Sequence, residues 1–203
     1  MMRRLYLVPG ALALALAACS SSPPVHYYTL LAPSVAASAN EQPAPFLIDV
    51  LPVGLPVQLD QSSLVVRQGD SGIAVLDGER WAGPLADELR TALSAALTSR
   101  LATRDVAGLA RPKDKSVLRI KLEVRRFDAW PGRNVVLDAD WSLGFADAAE
   151  NSRLLCHGRF EAPASGGTEE LALAGQRAVA ALAARIAADA RGWALTPPSA
   201  CNR

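Results

Sequence analysis

From Leu118 to Val124 every second residue is apolar: Leu118, Ile120, Leu122 and Val124 alternate with Arg119, Lys121 and Glu123. A period of two assigns one set to each face of a strand, so one face is buried and the other wet. The same alternation returns twice. Val135, Leu137, Ala139, Trp141, Leu143 and Phe145 oppose Val136, Asp138, Asp140 and Ser142, and Leu154, Cys156, Gly158 and Phe160 oppose Leu155, His157 and Arg159. Turn-rich stretches at Pro131-Gly132-Arg133-Asn134 and at 148–152 separate the three runs, which predicts an antiparallel meander.

A second period brackets the meander. Leu85, Leu89, Leu93, Leu97 and Leu101 recur every fourth residue, with Ala92 and Ala96 widening the stripe. That spacing predicts a helix with one buried face whose small residues allow close approach to a sheet. Gly83-Pro84 opens it, with Pro84 expected at the first helical position. Asp87 and Glu88 near its start, and Arg100 and Arg104 near its end, suit the helix dipole. Beyond Ser165-Gly166-Gly167, Thr168 is a candidate cap for a closing helix with Glu169 and Glu170 in its first turn. Leu171, Ala178, Leu182 and Ile186 form its stripe, with Val179 and Ala183 beside them; Gly192 is its expected stop, and Trp193 is expected to begin the tail.

Before the first helix the signals are shorter. His26 to Leu30 is aromatic and β-branched. Phe46 to Val53 places Phe46, Ile48 and Val50 on one face and Leu47, Asp49 and Leu51 on the other, with Pro52 and Pro56 limiting its pairing. Leu64–Arg67 and Ile73–Leu76 flank Gly69-Asp70-Ser71-Gly72, which predicts a hairpin. Arg111-Pro112-Lys113-Asp114 is expected as a loop. Strands, helix, meander, helix make an α+β two-layer sandwich, with a mostly antiparallel sheet and both amphipathic helices on one face. Where the first strands insert is left open by the pattern.

The N-terminus changes the picture from fold to address. Arg3 and Arg4 precede an apolar run from Leu5 to Ala18, too short for the roughly 20 residues of a membrane-spanning helix. The run ends in Leu16-Ala17-Ala18-Cys19, which reads as a lipobox: residues 1–18 are a removable lipoprotein signal peptide and the thiol of Cys19 receives a lipid. Two or more acyl chains hold a protein stably at a membrane. Residues 19–25 are then a Ser- and Pro-bearing tether. Residues 26–193 form one domain interrupted by a flexible Ala/Ser/Pro loop at 32–45, and residues 194–203 are a tail. Loss of the two signal arginines turns the formal charge of +1 into −1, so no basic field exists to draw nucleic acid.

Candidate chemistry is sparse. Three cysteines are present. With Cys19 taken by lipid, Cys156 and Cys201 either form a disulfide in an oxidising compartment or remain a buried apolar residue and a free tail thiol. Only His26 and His157 accompany them, without a CxxC spacing, so no metal site is expected. Asp138 and Asp140 share one strand face and His157 lies on the wet face of a strand; the simplest reading of all three is a solvated surface. No nucleophile elbow, phosphate loop or zinc helix motif appears, so catalytic residues are expected to be absent. A proline-restricted apolar stretch, Pro52 to Asp60, either plugs the core edge or offers Leu55, Pro56 and Leu59 to a partner. Trp81 either packs under the helix or anchors an interface.

In this order the motifs resemble the ABC-type transport auxiliary lipoprotein family. The lipobox at Cys19, Tyr27-Tyr28-Thr29-Leu30, Val53-Gly54-Leu55-Pro56 with Leu59-Asp60, and Arg80-Trp81-Ala82-Gly83-Pro84-Leu85 carry the resemblance. So do the meander around Phe127 and Trp141 and the closing helix. The loop at 32–45 and the Cys156/Cys201 pair stand outside it. The resemblance implies a non-enzymatic lipoprotein with no cofactor beyond the lipid on Cys19. It would be held at the outer membrane facing the periplasm, as a homo-oligomer. Its implied partners are an MCE-domain protein and ABC-type transporter components in lipid transport between membranes. Ser20, in place of an Asp, favours the outer membrane under the best-known sorting rule. The rival readings are an assembly factor for an outer-membrane protein or lipopolysaccharide export machine, and a periplasmic hydrolase that would use His157.

Overall fold

The computed structural model describes residues 24–33, 42–110, 112, 114–147, 153–195 and 201. The signal, Cys19, most of the 32–45 loop, the 148–152 turn, Arg111, Lys113 and most of the tail lie outside the described residues. In chain order the elements are β1 (His26–Tyr28), β2 (Leu47–Val50), β3 (Ser63–Gln68), β4 (Gly72–Trp81), α1 (Leu85–Leu101), β5 (Val117–Trp130), β6 (Asn134–Phe145), β7 (Leu154–Pro163) and α2 (Thr168–Leu195).

The α+β class stands, with the strands divided between two sheets. The larger has the order β2-β5-β6-β7 and the smaller β1-β4-β3. The meander and the hairpin pair antiparallel, whereas β2 runs parallel to β5 and β1 parallel to β4. Parallel neighbours need long crossovers; the hairpin and α1 supply one between β2 and β5. Both helices pack on the larger sheet, α2 against β6 and β7 and α1 against β2 and α2. All five stripe leucines of α1 are buried, as are Leu118, Ile120, Leu122 and Val124 of β5 and Val135 to Leu143 on the inward face of β6.

Two irregularities keep this core in phase. β5 continues past Val124 because Arg125 drops out of register with β6, the partner stepping from Ala139 to Asp138 across it. That extra residue shifts the parity, so Phe127 and Ala129 point inward instead of Arg126 and Asp128. In β4 the partner of Ser63 is Arg80 while that of Leu64 is Leu76, so residues 77–79 bulge and Trp81 turns into the core.

Several sequence expectations move. Both faces of β2 are buried: Leu47 packs with Val106 and Val117 in a second small cluster, and Asp49 on the same face is covered and lies 3.5 Å from Arg119. Arg104 lies beyond α1, which ends at Leu101 followed by Ala102 in the left-handed region at φ 46. Arg104 O instead accepts from Ile48 N–H and Ile48 O from Val106 N–H, which covers the free edge of β2. Pro84 occupies the cap position rather than the first turn. Leu171 N–H bonds Gly167 O, so Gly167 rather than Thr168 caps α2. The helix also runs through Gly192, because Trp193 is buried and its packing offsets the roughly 1 kcal/mol a glycine costs a helix. Thr168–Ala194 is long and apolar enough to cross a membrane, but Ala178, Leu182, Ile186 and Ala190 are buried against the sheet and α1.

Candidate functional site

The first strand is fastened more firmly than its three residues suggest. Glu88, on the first turn of α1, accepts from Thr29 Oγ1 at 2.7 Å and from Leu30 N–H at 2.8 Å. Gln176 of α2 donates to Thr29 O at 2.9 Å. Leu30 is buried at the point where α2 has Gly175. A Cβ there would lie 2.8 Å from Leu30 Cδ2 and 3.4 Å from Phe127, with Trp81 next. Trp81 and Phe127 meet edge to face at 6.3 Å. Three stretches distant in sequence thus converge on one glycine. Trp81 is a core residue, 4% exposed, so the reading of it as an interface anchor is corrected.

Beside this knot Glu79 takes hydrogen bonds from the Tyr28 hydroxyl and from His26 Nδ1, the latter at 3.0 Å. The Tyr28 bond, ahead of the desolvation that opposes it, holds Glu79 below its ordinary value. The same bond, helped by burial and by the negative charges of Glu79 and Glu169, pushes the Tyr28 hydroxyl up to about 12. The carboxylate is therefore charged and the phenol neutral across the physiological range.

At the other end of the hairpin a groove opens between the two sheets. After β2 the chain stays beside β5: Leu51 N–H bonds Ile120 O, Gly54 N–H bonds Leu122 O, and Val124 N–H bonds Gly54 O. It leaves where the Arg125 bulge begins and makes a short 3-10 turn at Val57–Leu59. The groove, about 460 Å³, is lined by Pro56 and Leu59 of this turn, by Val65, Arg67 and Ile73 of the hairpin, and by residues 125–129 of β5. Val57 beside it is 89% exposed, and Ile73 and Val75 are nearly half exposed. Three guanidiniums (Arg67, Arg125, Arg126) line it against one carboxylate, Asp128. Asp128 pairs with Arg126 Nε at 2.9 Å and lies 3.9 Å from Arg67. Arg67 and Arg133 also lie over Trp130, at 5.4 and 4.9 Å. Of the sequence candidates for partner contact, Pro56 and Leu59 line this groove, and Leu55 is part-buried against the core beside it.

The wet face of the larger sheet brings Asp138, Asp140 and His157 together. His157 Nδ1 donates to Asp140 at 2.9 Å and lies 3.8 Å from Asp138, while Arg125 donates to Asp140 at 2.7 Å. The Arg125 bond first, and the His157 bond after it, hold the Asp140 carboxyl below the usual range. An exposed carboxylate held ionised by two donors is an ion-pair network, poorly suited to abstracting or supplying protons. Among the described residues no group of three or more His, Cys, Asp or Glu is placed to hold a metal.

Cys156 is bonded to Cys201, with the two Cα atoms 5.7 Å apart. The bond pins the chain beyond α2 to the helix-facing side of β7. Sequence patterns missed Glu88, whose position suggested only a dipole partner. They also missed Asp189, buried in α2, which accepts from Trp141 Nε1 at 3.2 Å and lies 3.6 Å from Arg185. An acidic residue on the inner face of an apolar helix was the available signal.

A family model described as the ABC-type transport auxiliary lipoprotein component matches residues 28–187. The chain belongs to that family. That family is one of membrane-anchored auxiliary components of transport and is not a catalytic family. The match begins at Tyr28 and ends within α2, so it takes in both the Leu30 knot and the groove, while Cys201 falls outside it. Two crystal structures share the fold. One, of a protein described as uncharacterized, is 22% identical, covers 83% of this chain and 99% of its own, and superposes with a TM-score of 0.64. The other, a DUF330 family protein from Xanthomonas campestris, is 16% identical, covers 85% and 99%, and has a TM-score of 0.63. Among curated proteins none matches this auxiliary lipoprotein significantly.

Proposed function

We propose that this auxiliary lipoprotein is anchored through Cys19 at the outer membrane, facing the periplasm, and docks a periplasm-spanning MCE-domain partner of an ABC-type lipid-transport system, supporting membrane integrity. The observation that carries the reading is the groove. Exposed aliphatics (Val57, Ile73) lie beside an excess of guanidinium groups in a family whose members serve transporters. Exposed apolar patches rimmed by charge mark protein contacts. Ser20 after the lipidated cysteine supports the outer-membrane assignment. The partner is received by a homo-oligomer of the chain, and the covalent attachment to the membrane is the acylation of Cys19.

A photo-crosslinking residue at Val57 or Ile73, in cells, tests this. The expected product joins the lipoprotein to an MCE-domain protein, and the same probe at Leu155 on the far edge strand gives none. Crosslinks from both groove positions to a β-barrel or to a lipopolysaccharide export component, with no MCE-domain product, would establish the assembly-factor reading instead. Loss of fatty-acid labelling and of outer-membrane fractionation in Cys19→Ala is expected independently.

A further inference from the structure

The anchor and the fold meet at one place. From Cys19 to Pro24 is five peptide units, which at roughly 3.3–3.6 Å per residue span about 18 Å at most. The bilayer's interfacial zone accounts for about 5–8 Å of that, given about 40–45 Å overall around a 30 Å core. The β1 end therefore stands within about a helix diameter of the lipid headgroups, if Cys19 is lipidated as proposed above.

That end, like the groove, exposes apolar side chains. Val25 and Tyr27 are 43% and 66% exposed. They alternate away from His26 and Tyr28, which turn to Glu79. Leu31 and Leu173 are 40% and 38% exposed. Leu173 stands one turn before Gln176, whose amide holds Thr29 O, so the helix brings it beside the same segment. Arg80 is the register partner of Tyr27 across the β1–β4 pair. Single exposed aliphatics are ordinary. Here Val25, Tyr27 and Leu31 lie within seven residues at the N-terminal strand, with Arg80 across from Tyr27 and Leu173 one turn from Gln176. Tyrosine at headgroup level with an arginine reaching for phosphate is the composition of a membrane interface.

We propose that this end, Val25, Tyr27, Leu31 and Leu173 with Arg80, is a membrane-contact surface that rests in the headgroup region of the bilayer holding the lipid. It rests on the lipidation reading above and adds an orientation to it. Along β4, Ile73 and Arg80 pair with Arg67 and Ser63, four residues apart on β3, which is about 13 Å at the extended rise. With the β1 end on the membrane, the groove is held on the far side, where a partner spanning the periplasm arrives. The Glu88, Gln176 and Leu30 contacts then carry force from the anchor into both helices.

The test uses the full lipidated protein in phosphatidylethanolamine–phosphatidylglycerol vesicles containing a phospholipid with a photoactivatable group near its glycerol. Peptide mapping reads the adducts, and the mass of the Cys19 peptide is read in the same run. Adducts at residues 25–31 and at Leu173, at least tenfold above those at Ile73 and Leu155, are expected. A Tyr27→Asp/Leu31→Asp variant, exposed at both positions and so expected to fold, should lose most of these adducts while keeping the acyl mass on Cys19. An acylated Cys19 with adducts concentrated on the hairpin, spread evenly, or absent from residues 25–31 overturns this proposal alone. An unmodified Cys19 overturns the lipidation reading, and this surface with it.

Discussion

At one end of β4, Glu79 and Trp81 lie beside β1, and the neighbouring groups are tied down: Leu30 to a glycine on α2, Thr29 to both helices, Tyr28 and His26 to one carboxylate. At the other end Ile73 and Val75 stand half in solvent, near Arg67 and Arg126, which share Asp128, and Arg125, which pairs with Asp140. The same strand thus has a fastened end and an open one. Fastening concentrates beside β1, where the proposed lipid tether would enter. Exposure concentrates where a partner has room. Under the docking role proposed above, the first place would supply stiffness and the second affinity.

The sharpest way to break this comparison is to cut a large side chain at each end. Leu30→Ala removes a fully buried residue from the knot and should cost about 2–5 kcal/mol of stability, read as a fall in the chemical denaturation midpoint. A cost below 1 kcal/mol would mean that β1 is only laid on the fold, and that the fastened end is no firmer than the groove.

Next in size is Glu88→Ala. It leaves Leu30 N–H and the Thr29 hydroxyl without their acceptor, which should cost about 1–3 kcal/mol. The Leu30 amide should exchange with deuterium much faster than amides in the middle of β6. Equal protection in the variant and the parent would show that the apolar contacts alone hold the segment.

These two residues also mark where reading the chain succeeded and where it failed. The stripe of α1 and the alternation of the meander were legible because each is a local period imposed by one buried face. The division into two sheets was not, because β1 and β2 pair in parallel with strands some 50 to 70 positions away, and local pattern carries no register for such contacts. The length of β5 was hidden by its bulge: the apolar alternation breaks at Arg125 and resumes one residue late. Leu30 looked like the end of a short strand, and Glu88 like a dipole partner. Their meaning lies in each other and in Gly175. The groove was half visible, since Pro56 and Leu59 stood out as apolar and proline-bound, whereas Ile73 read as one hairpin residue among others.

A smaller effect follows from the Tyr28–Glu79 bond. Glu79 is held below its ordinary value, so its contribution is complete above the unfolded carboxyl range and is lost as pH falls through the folded value. Tyr28 is raised, so its contribution is complete below the unfolded phenol value near 10 and is lost as pH rises toward about 12. The fastened end should therefore hold between about pH 5 and 10 and loosen on either side. Of the three tyrosines only Tyr27 and Tyr28 lie beyond residue 18, so the titration is done on a chain lacking residues 1–18. Absorbance titration should show one phenol ionising near 12, moving toward its ordinary value in Glu79→Gln. A titration unchanged by that substitution would remove Glu79 from the account.

The smallest effect on stability belongs to the open end, and there the smallness is the point. Val57→Ser and Ile73→Ser trim side chains that are 89% and 48% exposed. Surface substitutions of this kind usually stay within about 0.5 kcal/mol. The denaturation midpoint should hardly move, whereas the yield of crosslinked MCE-domain partner should fall several-fold. If both substitutions instead destabilise the fold as Leu30→Ala does, the aliphatics close the core between the two sheets, and the two ends of β4 differ in exposure without differing in role. If stability and partner yield both stay unchanged, the groove is not where the partner sits, and the docking surface has to be sought elsewhere on the fold, the charged face of Arg125, Asp140 and His157 being the next candidate.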